Sequence, residues 1–258
     1  MSLEEEVNQC SRIHDVLAEH WNWAYYDTPH GDCSWLLAEY VKRLKTDVEN
    51  RVPVILNELE ILVGEHTKNT YNILDVGCGV GGFIHTALKE LSQKYTEIKF
   101  AATGIDVSKE MIDYAKINLQ EIKAELVCDT ITRKKIKFKN EPFDVAILMV
   151  TLSFYNDENA IEILRTINRK LKKGGFLLIM DFAWTYAWSG FRLFAKPLHN
   201  LTDTFFSHLI GESFRFNNRT EDELKTLIEE NGYNIKNAFL SEKKSKMKGM
   251  LVIRAQKN

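Results

Sequence analysis

Beyond residue 70, short apolar runs rich in β-branched side chains alternate with amphipathic stretches of helical length. The pattern predicts strands over residues 71–76, 100–106, 124–129, 143–150 and 176–181, and helices between them over 82–92, 108–119 and 157–171. A helix capped by Thr220 follows, and then two strands over 233–240 and 248–255 that a Lys-rich loop joins into an antiparallel hairpin. This alternation predicts an α/β fold with a doubly wound, mostly parallel sheet, which binds ligands at the carboxyl ends of its strands.

Two segments differ from this alternation. The first 70 residues predict helices, with 34–49 and 52–64 the clearer ones, preceded by an aromatic stretch over 21–26. Residues 182–216 hold ten aromatic side chains, well above the chain average of 11%. All five tryptophans fall in these two segments, which predicts that the segments pack together over one end of the sheet. We therefore divide the chain into an N-terminal helical cap segment, 1–70, and a main domain, 71–258, whose insertion 184–216 contributes to the cap.

Composition and charge are those of an ordinary globular protein. Hydrophobic residues make up 45% and charged residues 27% of the 258 positions, and the formal net charge of -2 gives no net attraction toward nucleic acid. The acidic start of the sequence lacks the apolar run of a signal peptide, and nowhere do apolar residues reach the ~20 needed to span a bilayer. We expect a cytoplasmic protein without a membrane partner.

The four cysteines are Cys10, Cys33, Cys78 and Cys128, and they form no Cys-x-x-Cys pair. Their spacing is not typical of a metal site, and Cys78 lies inside a glycine-rich segment. The simplest expectation is free thiols in a reducing compartment and no bound metal.

The segment from Gly77 to Gly82, hereafter the glycine loop, follows a predicted strand, precedes a predicted helix and satisfies the pattern G-x-G-x-x-G. The pattern alone also fits a dinucleotide-binding fingerprint, because glycines let the backbone approach either ligand closely. Asp75 lies two residues before the first glycine, where a carboxylate suits an ammonium or sulfonium group better than a pyrophosphate. Asp106, the acid at the next strand end, follows Gly82 by 24 residues, more than the ~20 of a dinucleotide fold.

The run Leu74-Asp75-Val76-Gly77-Cys78-Gly79-Val80-Gly81 resembles, almost letter for letter, the cofactor loop of class I S-adenosylmethionine-dependent methyltransferases. The resemblance continues in order through residues 104–111, 128–129, 143–146 and 171–179, and so covers residues 70–182. It implies S-adenosylmethionine as the cofactor and a seven-stranded sheet in the order 3-2-1-4-5-7-6. The N-terminal helices and the aromatic insertion match no motif of the family, so we expect them to select the substrate.

The resemblance also implies a role for each matching residue. Around the methionine part of the cofactor it places Asp75, Gly77, Gly79 and Gly81, with Cys78 in the same loop. Asp106 would bind the ribose hydroxyls, and the adenine would lie between Val107 and Met111, with Asp129 and Thr130 near its amino group. Leu148 and Met149 would end the fourth strand beside the sulfonium.

Methyl transfer from a sulfonium is an in-line displacement with a good leaving group, so positioning supplies much of the acceleration and no catalytic residue is obligatory. Many small-molecule members of the family have a histidine after the fourth strand, where this chain has Ser153, which weakens the assignment of a base there. The catalytic residue stays unassigned, with Tyr25, Tyr26 and Asp181 as candidates. Further acceptor-side groups are His30, Trp184 and Tyr186, and the other histidines have no supporting neighbours and receive no role.

Motifs for several acceptor classes are missing from the sequence. No Asn-Pro-Pro-Tyr or Asp-Pro-Pro-Tyr follows the fourth strand, no Pro-Cys nucleophile is present, and the paired-glutamate loop of arginine methyltransferases is absent. The sequence thus favours methyl transfer to a small or medium-sized organic acceptor. Two alternatives stay open: a protein or RNA methyltransferase, marked by an open basic groove, and a non-methylating protein that binds this cofactor or a nicotinamide dinucleotide.

Overall fold

The computed structural model describes residues 1–26, 35–66, 68–184, 217, 219–241 and 250–258. The helices are α1 (Leu3–Tyr26), α2 (Trp35–Glu65), α3 (Gly82–Lys94), α4 (Lys109–Asn118), α5 (Asp157–Lys170) and α6 (Glu221–Glu229), and a 3₁₀ turn, η1, spans Leu152–Phe154. The strands are β1 (Thr70–Val76), β2 (Lys99–Asp106), β3 (Glu125–Cys128), β4 (Phe143–Met149), β5 (Leu171–Trp184), β6 (Arg219–Thr220), β7 (Tyr233–Leu240) and β8 (Met250–Lys257).

The strands form one sheet in the order β3-β2-β1-β4-β5-β8-β7. Strands β1 to β5 run parallel, whereas β8 is antiparallel to both of its neighbours. This is the predicted order, with β7 and β8 as the sixth and seventh strands, except that the two-residue β6 pairs in addition with the end of β5. Because β1 to β5 are parallel, their carboxyl ends meet at one edge of the sheet.

Both faces of the sheet are buried. On one face, Ile73 and Ile147 pack in a core shared with α2 and α3. On the other, Leu74 and Leu148 pack in a core shared with α5 and α6. Neighbouring residues of one strand therefore point into opposite cores, as the two-residue period of a strand requires.

Polar side chains fix the starts of three helices. Ser108 and Asn156, at the starts of two predicted helices, accept hydrogen bonds from the backbone N–H of Met111 and Asn159, at 3.1 and 3.0 Å. Thr220 forms a reciprocal capping box with a glutamate three residues later. The predicted helix starts in this part of the chain are confirmed.

The N-terminal region differs from the prediction. Instead of two helices divided before Pro53, α2 is one helix with Pro53 inside it. The proline removes one hydrogen bond, but the completely buried side chains of Ile55 and Leu59 hold the helix against the sheet. The aromatic stretch over 21–26, expected ahead of the first clear helix, forms the last turns of α1.

Several sequence-based predictions lie outside the described residues. They are His30, Tyr186, the side chain of Trp184 and residues 185–216 of the aromatic insertion. β5 is longer than predicted and begins at Leu171, and the predicted turn at Gly174 and Gly175 is an irregularity in its pairing with β4. The division into a cap segment and a main domain stays a prediction.

Candidate functional site

A cavity of about 270 Å³ lies at the carboxyl edge of the sheet, where β1, β2 and β4 end. The glycine loop and the last residues of these strands form its floor, and α1 forms its roof. Most of the described lining side chains are apolar, with a few polar groups among them. Such a concave, largely apolar site is typical of small-molecule binding.

The glycine loop has a backbone conformation that glycine adopts most easily. Gly77, Gly79 and Gly81 have φ angles of 78°, 52° and 80°, in the left-handed region that disfavours side chains. The Gly77 N–H donates a hydrogen bond to the carbonyl of Ile105 at 2.8 Å, which ties the loop to β2. A Cβ on Gly77 would also lie 2.6 Å from Oγ1 of Thr151. Backbone, rather than side chains, therefore borders the cavity here.

Asp106, at the end of β2, has its carboxylate fixed by two backbone donors. Oδ2 accepts a hydrogen bond from the Gly79 N–H and Oδ1 accepts one from the Ser108 N–H, both at 2.9 Å. The side chain is buried but lines the cavity. The two bonds hold it at the cavity wall with the remaining lone pairs available to a ligand.

Asp75, near the end of β1, is an acid in an unfavourable environment. Only 2% of the residue is exposed, and burial raises the pKa of Asp75 to about 7, with a further contribution from the negative charge of Asp106. A cation beside this carboxyl group would favour its ionised form. The position is therefore suited to a positively charged part of a ligand.

The third acid, Asp129, lies just beyond β3 and lines the same cavity. It accepts hydrogen bonds from the Thr130 N–H at 2.8 Å and from Nε of Arg133 at 2.6 Å. Met111, from the first turn of α4, is completely buried against the glycine loop, with its sulfur 3.8 Å from a Cβ placed on Gly79. The apolar and acidic groups predicted around an adenine thus line the same cavity.

The structure brings most of the predicted cofactor residues to this cavity, namely Asp75, Gly77, Cys78, Gly79, Asp106, Val107, Met111, Asp129, Thr130 and Met149. Gly81 and Leu148 are not among its lining residues. Gly81 faces α4, where a Cβ would lie 2.7 Å from Leu119. Leu148 points away because strand residues alternate, so that Met149 borders the cavity and Leu148 packs in the core with α5.

The three catalytic candidates do not lie together at the cavity. Tyr25 lines the cavity. Tyr26 instead packs against His85, with ring centroids 5.6 Å apart. Asp181 accepts hydrogen bonds from the N–H groups of Ser153 and Phe182, at 3.1 and 2.7 Å, so it ties η1 to β5. Neither Tyr26 nor Asp181 is among the described lining residues.

The sequence predicted the N-terminal segment over one end of the sheet, but of the α1 residues that line the cavity it indicated Tyr25 alone as a candidate site residue. One face of α1 contributes Cys10, His14, Leu17, Trp21 and Tyr25, which recur every three or four residues and are hereafter the α1 stripe. His14 has its Nδ1 3.2 Å from the sulfur of Cys10 and its ring 4.8 Å from that of Phe154. Burial lowers the pKa of His14, although Asp106 and Asp15 act in the opposite direction. The helical period of the stripe was the available signal, but it does not reveal what the stripe covers.

Polar contacts hold α1 across the edge of the sheet. At its start, Glu6 is buried and accepts hydrogen bonds from the Asn156 N–H at 3.0 Å and from Nδ2 of Asn159 at 2.7 Å. Further along, Asp15 accepts a hydrogen bond from the Ser108 hydroxyl at 2.6 Å. Near its end, Oδ1 of Asn22 accepts one from Asn118 at 2.7 Å. These contacts join the roof to α5 and α4.

The segment after β4 forms another wall. Val150 has a φ of 57°, which is uncommon for a β-branched residue, and its N–H donates to the carbonyl of Met180 at 2.7 Å. The buried Arg219 fixes the following turn by donating to the carbonyls of Leu152 and Tyr155, at 3.0 and 2.8 Å. Strained backbone of this kind clusters at functional sites.

The described residues contain no cluster of three His, Cys, Asp or Glu side chains able to hold a metal ion. None of the helices there is long and apolar enough to cross a membrane. Cys10, Cys78 and Cys128 are free, and the first two are buried.

Residues 73–175 match the sequence model of the family described as "Methyltransferase domain". The match contains the glycine loop, Asp106 and Asp129. Residues 73–175 are thus a methyltransferase domain, in agreement with the resemblance to the class I S-adenosylmethionine-dependent family. The α1 stripe and the two α2 residues that line the cavity, Val48 and Arg51, lie outside the matched residues.

Known proteins are similar to parts of this chain. The carboxy-S-adenosyl-L-methionine synthase of Psychrobacter sp. (strain PRwf-1) is 29% identical over 122 residues, covering 46% of this chain and 43% of that protein. The tRNA N(3)-cytidine methyltransferase of Bos taurus is 28% identical over 185 residues, covering 70% of this chain and 47% of that protein. The chain spans about half the length of the curated relatives it matches.

A solved structure resembles the chain over nearly its whole length. It is the magnesium protoporphyrin IX methyltransferase of Synechocystis PCC 6803 with bound S-adenosylmethionine, with a TM-score of 0.62. The alignment covers 95% of each chain at 13% identity. At that identity the likeness is one of fold.

Proposed function

We propose that this protein binds S-adenosylmethionine in the cavity and transfers its methyl group to a small or medium-sized organic acceptor. The observation that carries the proposal is the convergence of Asp75, Asp106 and the glycine loop on one cavity within a methyltransferase domain. A ligand with a cationic amino-acid end and a ribose suits these groups.

In this proposal, different residues bind different parts of the cofactor. Asp106, held by the N–H groups of Gly79 and Ser108, accepts hydrogen bonds from the ribose hydroxyls. Asp75 takes the ammonium group, whose charge offsets the cost of ionising a buried carboxyl. Val107 and Met111 supply apolar contact for the adenine, and Asp129 accepts from its amino group. The glycine loop leaves room for the ligand because its Cα atoms carry no side chains.

When bound, the cofactor supplies an electrophilic methyl group. The task of the protein is then to hold the acceptor in line and to exclude water. Trp21 and Tyr25, from the α1 stripe, place aromatic surface over the cavity for this purpose. The enclosure by α1 supports a small acceptor, because a macromolecule needs an open approach to the methyl group.

A second candidate is an RNA acceptor. The observation in its favour is the similarity to a tRNA methyltransferase over 70% of this chain, more than for the carboxy-S-adenosyl-L-methionine synthase. The formal net charge of -2 argues against it, since phosphate contacts require clustered positive charge.

Calorimetry tests the cofactor. S-adenosylhomocysteine should bind the wild-type protein and NADH should not. Asp106→Ala should lower the affinity for S-adenosylhomocysteine at least ~10-fold, because charge-assisted hydrogen bonds to the ribose are lost. Asp113→Ala, an exposed acid on α4, is the control and should bind as wild type. Undiminished binding by a folded Asp106→Ala variant would exclude this role for Asp106, and binding of NADH alone would refute the proposal.

Label transfer tests the acceptor class. The wild-type protein is incubated with S-adenosylmethionine labelled in the methyl group and with three separate fractions: small metabolites, total tRNA and total protein. Label is expected in the small-metabolite fraction. Label confined to tRNA would favour the RNA candidate, and label confined to protein would also reject the small acceptor.

A further inference from the structure

The imidazole ring of His14, on α1, lines the cavity and is held from two sides. Its Nδ1 lies 3.2 Å from the sulfur of Cys10, one turn earlier on the helix. Its ring meets that of Phe154, from η1, in an edge contact with 4.8 Å between the centroids. Cys10 and Phe154 line the cavity as well, so the ring has a fixed place at the border between roof and wall.

The two ring nitrogens of His14 have different surroundings. Nδ1, the nitrogen nearer the helix backbone, faces Cys10, whereas Nε2 has no hydrogen-bond partner in the part of the chain that the structure describes. Burial lowers the pKa of His14, which favours the neutral ring. A neutral imidazole has one donor and one acceptor nitrogen. A hydroxyl group both donates and accepts, so it can pair with Nε2 in either tautomer.

Hydrogen bonds place this part of α1 against the turn between β2 and α4. The Ser11 hydroxyl donates to the carbonyl of Val107 at 3.1 Å. The Ser108 hydroxyl donates to Oδ1 of Asp15 at 2.6 Å. His14 follows Ser11 by three residues and precedes Asp15 directly, so the helix is tied to the turn on both sides of the imidazole.

The same turn holds the carboxylate of Asp106. The Ser108 N–H donates to Oδ1 of Asp106 at 2.9 Å, so a single residue joins this acid to the middle of α1. Asp106 lines the cavity from the end of β2, and His14 lines it from the roof. Because His14 stands outside residues 73–175, the match to the methyltransferase domain assigns it no role. A sugar bound at Asp106 would lie between the two side chains.

We propose that His14 binds a hydroxyl group of the cofactor ribose through Nε2, and that it shares the ribose with Asp106. The proposal rests on the proposed function, because it takes the cavity as the S-adenosylmethionine site. An ionised carboxylate only accepts hydrogen bonds, whereas the outer nitrogen of a neutral imidazole pairs with a hydroxyl in either direction. Loss of a hydroxyl would leave a polar group of the site unpaired, so the two residues together select ribose over deoxyribose.

Calorimetry with S-adenosylhomocysteine and its 2′-deoxy and 3′-deoxy analogues tests the contact. His14→Phe keeps an aromatic ring beside Phe154 but has no ring nitrogen. It should bind S-adenosylhomocysteine about 3–10-fold more weakly than wild type, the effect of one hydrogen bond between neutral groups. For the analogue that lacks the hydroxyl bound by His14, the two proteins should differ by less than about twofold, because that contact is already missing.

Two further variants separate the hydrogen bond from the packing of the ring. His14→Gln, whose amide group offers a donor and an acceptor, should bind S-adenosylhomocysteine more tightly than His14→Phe does. His20→Phe removes an imidazole from α1 at a residue that is not among the described lining residues. It should bind all three ligands as wild type does.

Several outcomes overturn the proposal. A folded His14→Phe variant that binds S-adenosylhomocysteine as wild type does would refute it. Equal weakening of all three ligands would also refute it, because the ring would then contribute packing alone. If His14→Phe fails to fold, His14→Met carries the same comparison, and the same difference between ligands is required of it. Failure of the wild-type protein to bind S-adenosylhomocysteine would instead refute the proposed function, and this proposal with it.

Discussion

The ring of Tyr25 lies against Gly82, in the space that any side chain at position 82 would need. A Cβ built on Gly82 would come within 1.9 Å of Cδ1 of that ring, far inside contact distance. Gly82 begins α3, and Tyr25 belongs to the last turn of α1. The final glycine of the loop therefore serves the packing of the roof helix as well as the path of the backbone.

Gly82→Ala should displace the end of α1. We expect a loss of about 1–3 kcal/mol in the free energy of unfolding, as for other overpacked sites, together with weaker binding of S-adenosylhomocysteine. Urea denaturation and calorimetry measure the two effects. Gly64→Ala, in α2, is the control: the nearest atom would be 3.7 Å from its Cβ, so stability should be unchanged or higher.

The contact itself is tested by removing the ring. The double variant Tyr25→Ala/Gly82→Ala should lose less stability than the sum of the two single variants, because the clash is gone. Strict additivity of the two losses would show that Tyr25 is not what position 82 must accommodate.

Asp75 should make the stability of the free protein fall with rising pH. The pKa of Asp75 in the folded protein, about 7, is above the ordinary value of 3.8, so the unfolded chain ionises first as the pH rises. The free-energy cost of ionising this buried carboxyl is absent below the lower pKa, grows between the two pKa values and is constant above the higher pKa. Asp75→Asn removes it and should raise the free energy of unfolding at pH 8 by a few kcal/mol.

Asp144→Asn is a control, because this substitution should change stability in the opposite direction. Burial alone would raise the pKa of Asp144, but the Asn72 N–H, Lys172 and Lys68 outweigh burial and lower it. Asp144→Asn should therefore reduce stability at pH 8, where the charged form is the one stabilised. Thermal unfolding of both variants at pH 5 and pH 8 makes the comparison. A lower Tm for Asp75→Asn at pH 8 would contradict the environment assigned to Asp75.

The ionisation of Asp75 should also affect ligand binding. A cation beside Asp75 stabilises its charged form, so the affinity for S-adenosylhomocysteine should rise as the pH increases through about 7. At pH 6 binding should release a proton, which calorimetry detects by comparing buffers of different ionisation enthalpy. Asp75→Asn should bind more weakly and without this proton release. Proton release that persists in the variant would assign it to another group.

Arg219 should be important for stability. Arg219→Met leaves the buried carbonyls of Leu152 and Tyr155 without their donors and should cost about 2–4 kcal/mol. Asp157, its acidic partner, is 77% exposed, so Asp157→Asn should cost far less. Urea denaturation measures both variants. Equal losses would mean that the ion pair, rather than the carbonyl contacts, holds the turn.

Asp15 should hold the middle of the roof helix. Asp15→Ala removes the acceptor of the Ser108 hydroxyl and should raise the amide exchange of residues 3–26. It should also lower the affinity for S-adenosylhomocysteine, since the α1 stripe covers the cavity. Asp113→Ala, whose partners are the exposed Lys109 and Lys116, should leave exchange in α1 unchanged. Unaltered exchange in Asp15→Ala would show that other contacts suffice.

The sheet could be predicted because the parallel strands are short, mostly apolar runs that alternate with stretches of helical length. Because apolar residues follow one another in these strands, the sequence does not indicate the face of the sheet to which each residue points. β4 is apolar on both faces, so no alternation distinguished Leu148, in the core with α5, from Met149, at the cavity. The acids Asp75 and Asp106 could be placed because each lies at or next to the end of its strand.

The N-terminal segment was expected over one end of the sheet, but the contacts of the roof could not be predicted because they join distant parts of the chain. Glu6 bonds with Asn156, 150 positions away, and Asp15 with Ser108, 93 positions away. No local pattern indicates such partners. His14 received no role from its neighbours in sequence, and Arg51 was not singled out at all, although both line the cavity. For the same reason the predicted boundary between helices 34–49 and 52–64 was wrong, since the packing that keeps α2 continuous is not local.

The α1 stripe also bears on how proteins of this kind diversify. Five cavity residues lie on α1, whereas Asp106 ends β2 and the glycine loop connects β1 to α3. Mutations at positions 10, 14, 17, 21 and 25 change the shape of the ligand chamber without altering a strand or its register. Selection can thus act on acceptor choice through mutations in α1, and on cofactor use through mutations in the glycine loop and at Asp106. A descendant with a new substrate would be expected to differ first in that helix.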